Sequence, residues 1–418
     1  MRELLRAIFS RNMLVVLLTG FASGLPLLLT GSTLQAWMKD ESVDLATIGL
    51  FSLVGLPYTL KFLWSPLMDR YVPLKLGRRR SWMLITQLGL MAAIALLGLA
   101  DPAGAPITVA LFAVLVTFFG ASQDIVLDAY RRELLKDEEL GLGSSLYING
   151  YRIAMLVAGA GSLLLADQIP WRAVYFIMAG IMGACVLMTF FAPEPAGKII
   201  PPKTLKEAVV EPFKDYFGRD QALIMLLFIL LYKMGDTMAS AMTTPFILDM
   251  GFSKTEYAAI GKSFGLVATL VGAFLGGAVL FRIGISRSLW IFGVFQALST
   301  AAFALLVGGE HDLGVLTFVV AFENLTSGMG TSAYAAYMAS LTNKQFTATQ
   351  YALLTSFMGI PRIFAAAPMG YLAKAVAWPS FFVICALAAI PGMLLLFRVA
   401  PWQASQRPLS RAALADID

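Results

Sequence analysis

An all-α integral membrane protein, with twelve transmembrane helices in two six-helix pseudo-symmetric halves and both termini cytoplasmic, is the fold this sequence predicts. Three observations predict it: an apolar composition, a regular succession of apolar runs, and motifs that recur about 210 residues apart. Of 418 residues, 58% are hydrophobic and 14% charged, where soluble domains average roughly 45–50% and roughly 25%. The mean hydropathy of +0.76 describes a chain whose solvent is lipid, which excludes a soluble enzyme.

A helix needs about 20 apolar residues to cross hydrocarbon. Such runs fall near 12–38, 45–68, 81–100, 106–130, 142–166, 172–192, 221–248, 255–280, 289–308, 313–340, 349–374 and 378–398. With the N-terminus inside, 22 of the 31 Lys and Arg lie on the inner side, and the outer loops hold only Lys39, Arg172, Lys254 and Lys374. That asymmetry orients the chain by the positive-inside rule. Arg2, Arg6 and Arg11 before the first run are expected in a retained anchor rather than a cleaved signal. The net charge of +5 is therefore topological, and no nucleic-acid partner is expected. A single histidine, His311, and two cysteines, Cys185 and Cys385, cannot supply a His/Cys metal cluster or a disulfide framework. No metal, cofactor or catalytic residue is expected, since His311 stands alone in a short outer loop.

The repeat is carried by several pairs. Gly120-Ala121-Ser122 matches Gly330-Thr331-Ser332, and Arg152-Ile153 matches Arg362-Ile363; Ile48-Gly49 pairs with Ile260-Gly261, and Ala192-Pro193 with Ala400-Pro401. Parallel six-span halves are a transporter architecture. The halves are expected at 1–192 and 221–398, with a connector at 193–220 and a cytoplasmic tail at 399–418. Within the connector, Thr204 and Glu207 have capping-box spacing, and Leu205, Ala208, Val209, Pro212, Phe213, Tyr216 and Phe217 recur at helical intervals. The segment reads either as a helix on the membrane surface, kinked near Pro212, or as a plain linker.

An ionisable group at the bilayer centre costs at least ~2.5–3.5 kcal/mol, so those found there are functional candidates. The bases are Lys61, Arg152, Lys233, Lys262 and Arg362; the acids are Asp124, Asp128, Asp236 and Glu323. Asp124 and Asp128 share a helical face, where a proton on either relieves repulsion; the other reading pairs both with Arg152 and neighbouring bases. Lys233 and Asp236, three residues apart, suit a local ion pair. Glu323 has no charge within a turn, so it is protonated, faces water or reaches a base on another helix. Arg152 and Arg362, equivalent in the repeat, either offer guanidinium forks to an anionic ligand or offset the acids. Gln123, Asn149, Asn324 and Gln296 can bond a polar ligand or bridge helices, and Tyr58, Tyr151 and Tyr334 can stack on sugar rings or pack. Gly20 and Gly24, and Gly272 with Gly276 and Gly277, have the spacing for close helix contact.

The turn after the second run reads Pro66-Leu67-Met68-Asp69-Arg70, followed by Gly77-Arg78-Arg79-Arg80, and resembles the major facilitator signature. In that superfamily the acid caps a helix end in the other half, and the basic cluster locks the cytoplasmic gate. The resemblance assigns that gate to Asp69, Arg70, Gly77, Arg78 and Arg79. Extra residues between Asp69-Arg70 and Gly77 imply a looser lock, and the equivalent turn Phe281 to Arg287 lacks the acid.

More specifically, the chain resembles the AmpG muropeptide permease family over nearly its whole length. The match is carried by GFASGLP at 20–26, TLQAW at 33–37, KFLWSPLMDRY at 61–71, GRRRSW at 77–82 and ASQDIVLDA at 121–129. In the second half it is carried by PKTLKEAVV at 202–210, LYKMGD at 231–236, FENLTSGMGTSAY at 322–334 and ATQYALL at 348–354. The resemblance implies a monomeric permease of the bacterial inner membrane that imports GlcNAc-anhydroMurNAc-peptides for peptidoglycan recycling, driven by the proton gradient. It also implies a link to β-lactamase induction where that circuit exists. Some family members continue past the twelfth span, which implies that further spans are dispensable here. Relatives that carry acetyl-CoA keep that anionic metabolite open as cargo, and a drug exporter on the same fold is the other alternative. The expected mechanism is alternating access, with Asp124, Asp128, Asp236 or Glu323 as proton carriers and Lys61, Arg152, Lys233, Lys262 and Arg362 facing the ligand's carboxylates.

Overall fold

The computed structural model describes residues 8–43, 45–195, 202, 204–308, 311–365 and 368–402. Among these, nine helices are long and apolar enough to cross a membrane. They begin with Arg11–Asp40 and end with Trp378–Val399. The expected eighth and ninth spans appear as one stretch, Ala259–Leu306, because helical geometry resumes at once after Gly284, whose φ of 80° breaks it.

Two expected spans are fragmented instead. The second is a chain of short pieces from Leu45–Leu50 to Ser65–Arg70, with Pro57 and Pro66 opening new pieces where they cost no helical hydrogen bond. The eleventh divides into Thr347–Phe364, which contains Pro361, and Met369–Ala375, which Pro368 precedes. The connector contains the helix Leu205–Phe217, and the hydroxyl of Thr204 accepts from the Glu207 amide at 3.1 Å, as the capping spacing requires. Ala208, Pro212 and Tyr216 form its buried stripe, whereas Leu205, Val209 and Phe217 are exposed.

The chain divides into two compact units. The first comprises Met1–Lys136, Leu146–Lys214 and Thr342–Ser356; the second comprises Asp137–Ser145, Asp215–Leu341 and Phe357–Asp418. Relative to a division at 193–220, each unit thus takes one short segment from the other sequence half.

In the first unit, helices approach through glycine. A Cβ on Gly20 or Gly24 would strike the backbone of Tyr147 or Tyr151, so the contact between Arg11–Leu29 and Leu140–Leu156 requires bare backbone there. Trp37 stacks on Trp171 at 6.2 Å, and the Tyr175 hydroxyl donates to the Leu29 carbonyl at 2.8 Å. The second unit has an aromatic core in which Phe246 meets Phe382 at 4.6 Å and Phe303 stacks on Phe382 at 5.0 Å.

Candidate functional site

Three polar clusters stand out, two in the first unit and one in the second. The first lies at the signature turn. Arg79, fully buried, joins Asp69 at 2.7 Å and Glu133 at 2.5 Å, and also donates to the Met68 carbonyl at 3.1 Å. Arg78 adds a bond to Glu133 at 2.9 Å and another to the Asp69 carbonyl at 3.2 Å. Asp69 in turn receives the amides of Ala348 and Thr349 at 3.2 and 2.8 Å and the Thr349 hydroxyl at 2.7 Å. A carboxylate thus meets the open amides at the start of Thr347–Phe364, where the helix dipole favours negative charge.

Glu194 performs the same service for Arg78–Gly98, accepting from the Arg79 and Arg80 amides at 3.0 and 3.1 Å. Gly77 precedes that helix with φ of 95°, and an added Cβ would collide with the Glu194 carboxyl, so glycine is required there. Arg70 does not join the network. Its guanidinium lies over the Tyr71 ring at 4.9 Å, so the network consists of Asp69, Arg78, Arg79 and Glu133.

The second cluster surrounds Asp124 on Pro106–Leu134. Ser23 donates to Asp124 at 2.5 Å, while the Lys61 ammonium stands 3.9 Å from the other carboxylate oxygen. The Tyr58 hydroxyl is buried against Gly120 and makes no hydrogen bond among the described residues. One turn along, Asp128 pairs with Arg131 at 3.2 Å. Arg131 is clamped between rings, 4.3 Å from the Tyr147 centroid and 5.4 Å from Tyr351, and donates to the Tyr351 hydroxyl at 2.7 Å. The two aspartates on one face therefore have different ion-pair partners, Lys61 and Arg131, which a shared face alone does not foretell.

The third cluster lies in the second unit. Lys233 bridges Asp236 at 3.1 Å and donates to Thr331 at 2.9 Å. Glu323 accepts from Ser299 at 2.7 Å. Ser299 also meets Thr326 at 2.8 Å. The local Lys233–Asp236 pair is present, and the Ser299 hydroxyl holds Glu323.

The remaining candidates divide by environment. Gln123 is buried and donates to the Ala22 carbonyl at 2.6 Å, and Asn324 bonds the Val320 carbonyl at 2.9 Å and the Thr269 hydroxyl at 3.0 Å. Both tie helices together. Tyr334 is buried, stacks on Tyr232 at 5.5 Å and donates to the Ile229 carbonyl, so its ring is packing rather than a surface for sugar. Asn149, Tyr151 and Arg152 lie half-buried on Leu140–Leu156. The side chains of Lys262 and Arg362 lie outside the described residues.

Glu133, Glu194, Ser299 and Thr349 escape sequence reasoning. Glu133 follows Arg131-Arg132 at a helix end, where charges ordinarily face water, and Glu194 sits in a proline-rich turn. Two buried arginines with one aspartate nearby were the available signal, because a second carboxylate had to balance them.

A helical membrane protein with a charged turn capping a distant helix, and with ion pairs inside its spans, belongs to the class of secondary transporters and is not an enzyme. The chain belongs to the Major Facilitator Superfamily, whose profile matches residues 13–366. Its relatives narrow the family to the AmpG-type permeases. The Anhydromuropeptide permease of Escherichia coli K12 is 46% identical over 384 residues, which cover 91% of this chain and 78% of that protein. Among solved structures, the proton:xylose symporter XylE superposes with a TM-score of 0.71 at 10% identity, covering 93% of this chain and 95% of its own. The E. coli fucose:proton symporter FucP gives 0.71 at 13% identity, covering 94% and 98%. At such identities the structural likeness speaks to the fold alone.

Proposed function

We propose that this protein is a proton-coupled importer of anhydro-muropeptides, carrying GlcNAc-anhydroMurNAc-peptides from periplasm to cytoplasm across the bacterial inner membrane by alternating access. The substrate class is supported by the 46% identity to a permease of that name. The coupling is supported by one observation above others: Lys61 stands 3.9 Å from Asp124 with both side chains largely buried. That separation is too long for a strong charge-assisted bond, so the ammonium keeps donor capacity for another anion.

A proton arriving at Asp124 removes the charge that holds Lys61. A ligand carboxylate then becomes its best partner, and binding and protonation favour one another. When the proton leaves on the cytoplasmic side, Asp124 reclaims Lys61 and the ligand loses its anchor. Asp69 and its cap on Thr347–Phe364 act as the cytoplasmic lock.

Replacing Lys61 by Gln tests the anchor. Bonds to a charged partner contribute about 1.5–3 kcal/mol, so a muropeptide with free carboxylates is expected to bind the variant roughly 10- to 100-fold more weakly. A peptide-amidated analogue should lose far less. Equal loss for both ligands, measured by calorimetry on purified protein, would contradict a carboxylate contact at Lys61.

A further inference from the structure

A groove on the first unit has apolar walls and a cationic rim. It lies between the start of Arg11–Leu29 and the end of Trp171–Phe191, encloses about 520 Å³, and is walled by Phe9, Leu14, Val15, Leu18, Met188 and Phe191. Phe9, Leu14, Leu18 and Phe191 are exposed. A contiguous apolar patch of this kind marks a contact surface, and on two helices able to cross a membrane the contact is hydrocarbon.

At the rim, Arg11 donates to the Phe191 carbonyl at 2.7 Å, and Arg80 donates to the neighbouring Thr189 and Phe190 carbonyls at 3.2 and 2.8 Å. Two guanidiniums thus gather at one helix end, whose dipole favours cations. Each fork keeps a nitrogen without a protein acceptor among the described residues. Glu194, beside Arg80, is taken up by the Arg79 and Arg80 amides at 3.0 and 3.1 Å, and a single carboxylate does not offset two guanidiniums. The distribution of Lys and Arg puts this end of both helices at the inner face. Leu14 and Leu18 lie one and two turns beyond Arg11, so the groove runs inward from headgroup level for about 10 Å.

A fitting ligand is anionic at one end and hydrocarbon at the other. Free phosphate satisfies the rim but leaves the walls bare, and a choline headgroup brings its own cation to the guanidiniums. We propose that the groove binds an anionic phospholipid of the inner leaflet, with its phosphate on Arg11 and Arg80 and one acyl chain along Leu14 and Leu18. The bound lipid staples the start of the first span to the end of the sixth, whatever the cargo.

Native mass spectrometry of the full-length protein in detergent, with phosphatidylglycerol or phosphatidylcholine of identical chains, tests the site without substrate. The parent protein is expected to retain phosphatidylglycerol more tightly. Arg11→Gln should weaken that lipid roughly fivefold, the effect of one arginine near the surface, and leave phosphatidylcholine unchanged, whereas Arg11→Lys keeps most of the preference. Leu18→Trp fills the groove without touching the rim and should weaken both lipids; inorganic phosphate at the same concentration should displace neither. Equal retention of the two lipids by the parent protein, or a preference undiminished in Arg11→Gln, would overturn the proposal. So would displacement by inorganic phosphate, which would leave an anion site with no role for the chain. If Arg11→Gln fails to fold, Leu18→Trp decides the matter, and unchanged retention of both lipids in that variant overturns the site.

Discussion

Asp124→Asn is expected to abolish accumulation of muropeptide against its gradient while leaving exchange of labelled for unlabelled ligand across the membrane. The asparagine keeps the shape and an acceptor for Ser23, whose bond to Asp124 is 2.5 Å, but it cannot release a proton or hold Lys61 by charge. One pH unit is worth about 1.4 kcal/mol per proton, which is a tenfold concentration ratio for each proton carried. The variant should therefore fall from at least tenfold accumulation, under a one-unit gradient, to simple equilibration. Counterflow and net uptake measured on the same proteoliposomes separate the two outcomes. Undiminished accumulation would place coupling elsewhere.

Arg79→Ala is expected to have the larger structural effect. It strands Asp69 and Glu133, both buried, without the guanidinium that lies 2.7 and 2.5 Å from them. Removing one partner of a buried ion pair costs about 3–5 kcal/mol, and here two acids lose the same base. Arg78 compensates in part through its 2.9 Å bond to Glu133 but reaches only the carbonyl of Asp69. A marked drop in thermal unfolding temperature should accompany increased accessibility of a cysteine placed at Ser356, in the segment that packs with the first unit. Glu133→Gln, which keeps the hydrogen-bonding shape, should show a smaller form of both changes. Equal stability of Arg79→Ala and the parent protein would mean that the network is not the lock.

These contrasts also explain what the sequence can and cannot reveal. Lys61, Asp124, Asp236 and Glu323 are conspicuous in the sequence because charge is costly in hydrocarbon, whatever the helices do. Their partners are not conspicuous, because pairing depends on the rotation and depth of neighbouring helices. Asp128 meets Arg131 three residues away, a contact available from helical spacing, yet Tyr351 completes that site from more than two hundred residues along the chain. The Thr204 cap is local and could be read directly. Glu194 caps a helix 115 residues before it, which no local rule predicts. The same distinction applies to Gln123 and Tyr334: the Gln123 amide nitrogen and the Tyr334 hydroxyl donate to carbonyls on adjacent helices. Continuous apolar runs foretell the spans, but not the proline-opened fragments of the second and eleventh.

The most direct test is uptake of labelled GlcNAc-anhydroMurNAc-peptide into proteoliposomes holding the purified full-length protein, with and without an imposed inward proton gradient. The proposed function predicts accumulation above equilibrium only when the gradient is present, with Asp124→Asn reduced to equilibration. No entry and no binding of muropeptide under any gradient, in protein shown to be folded, would contradict the substrate assignment; acetyl-CoA uptake in the same vesicles would then replace it.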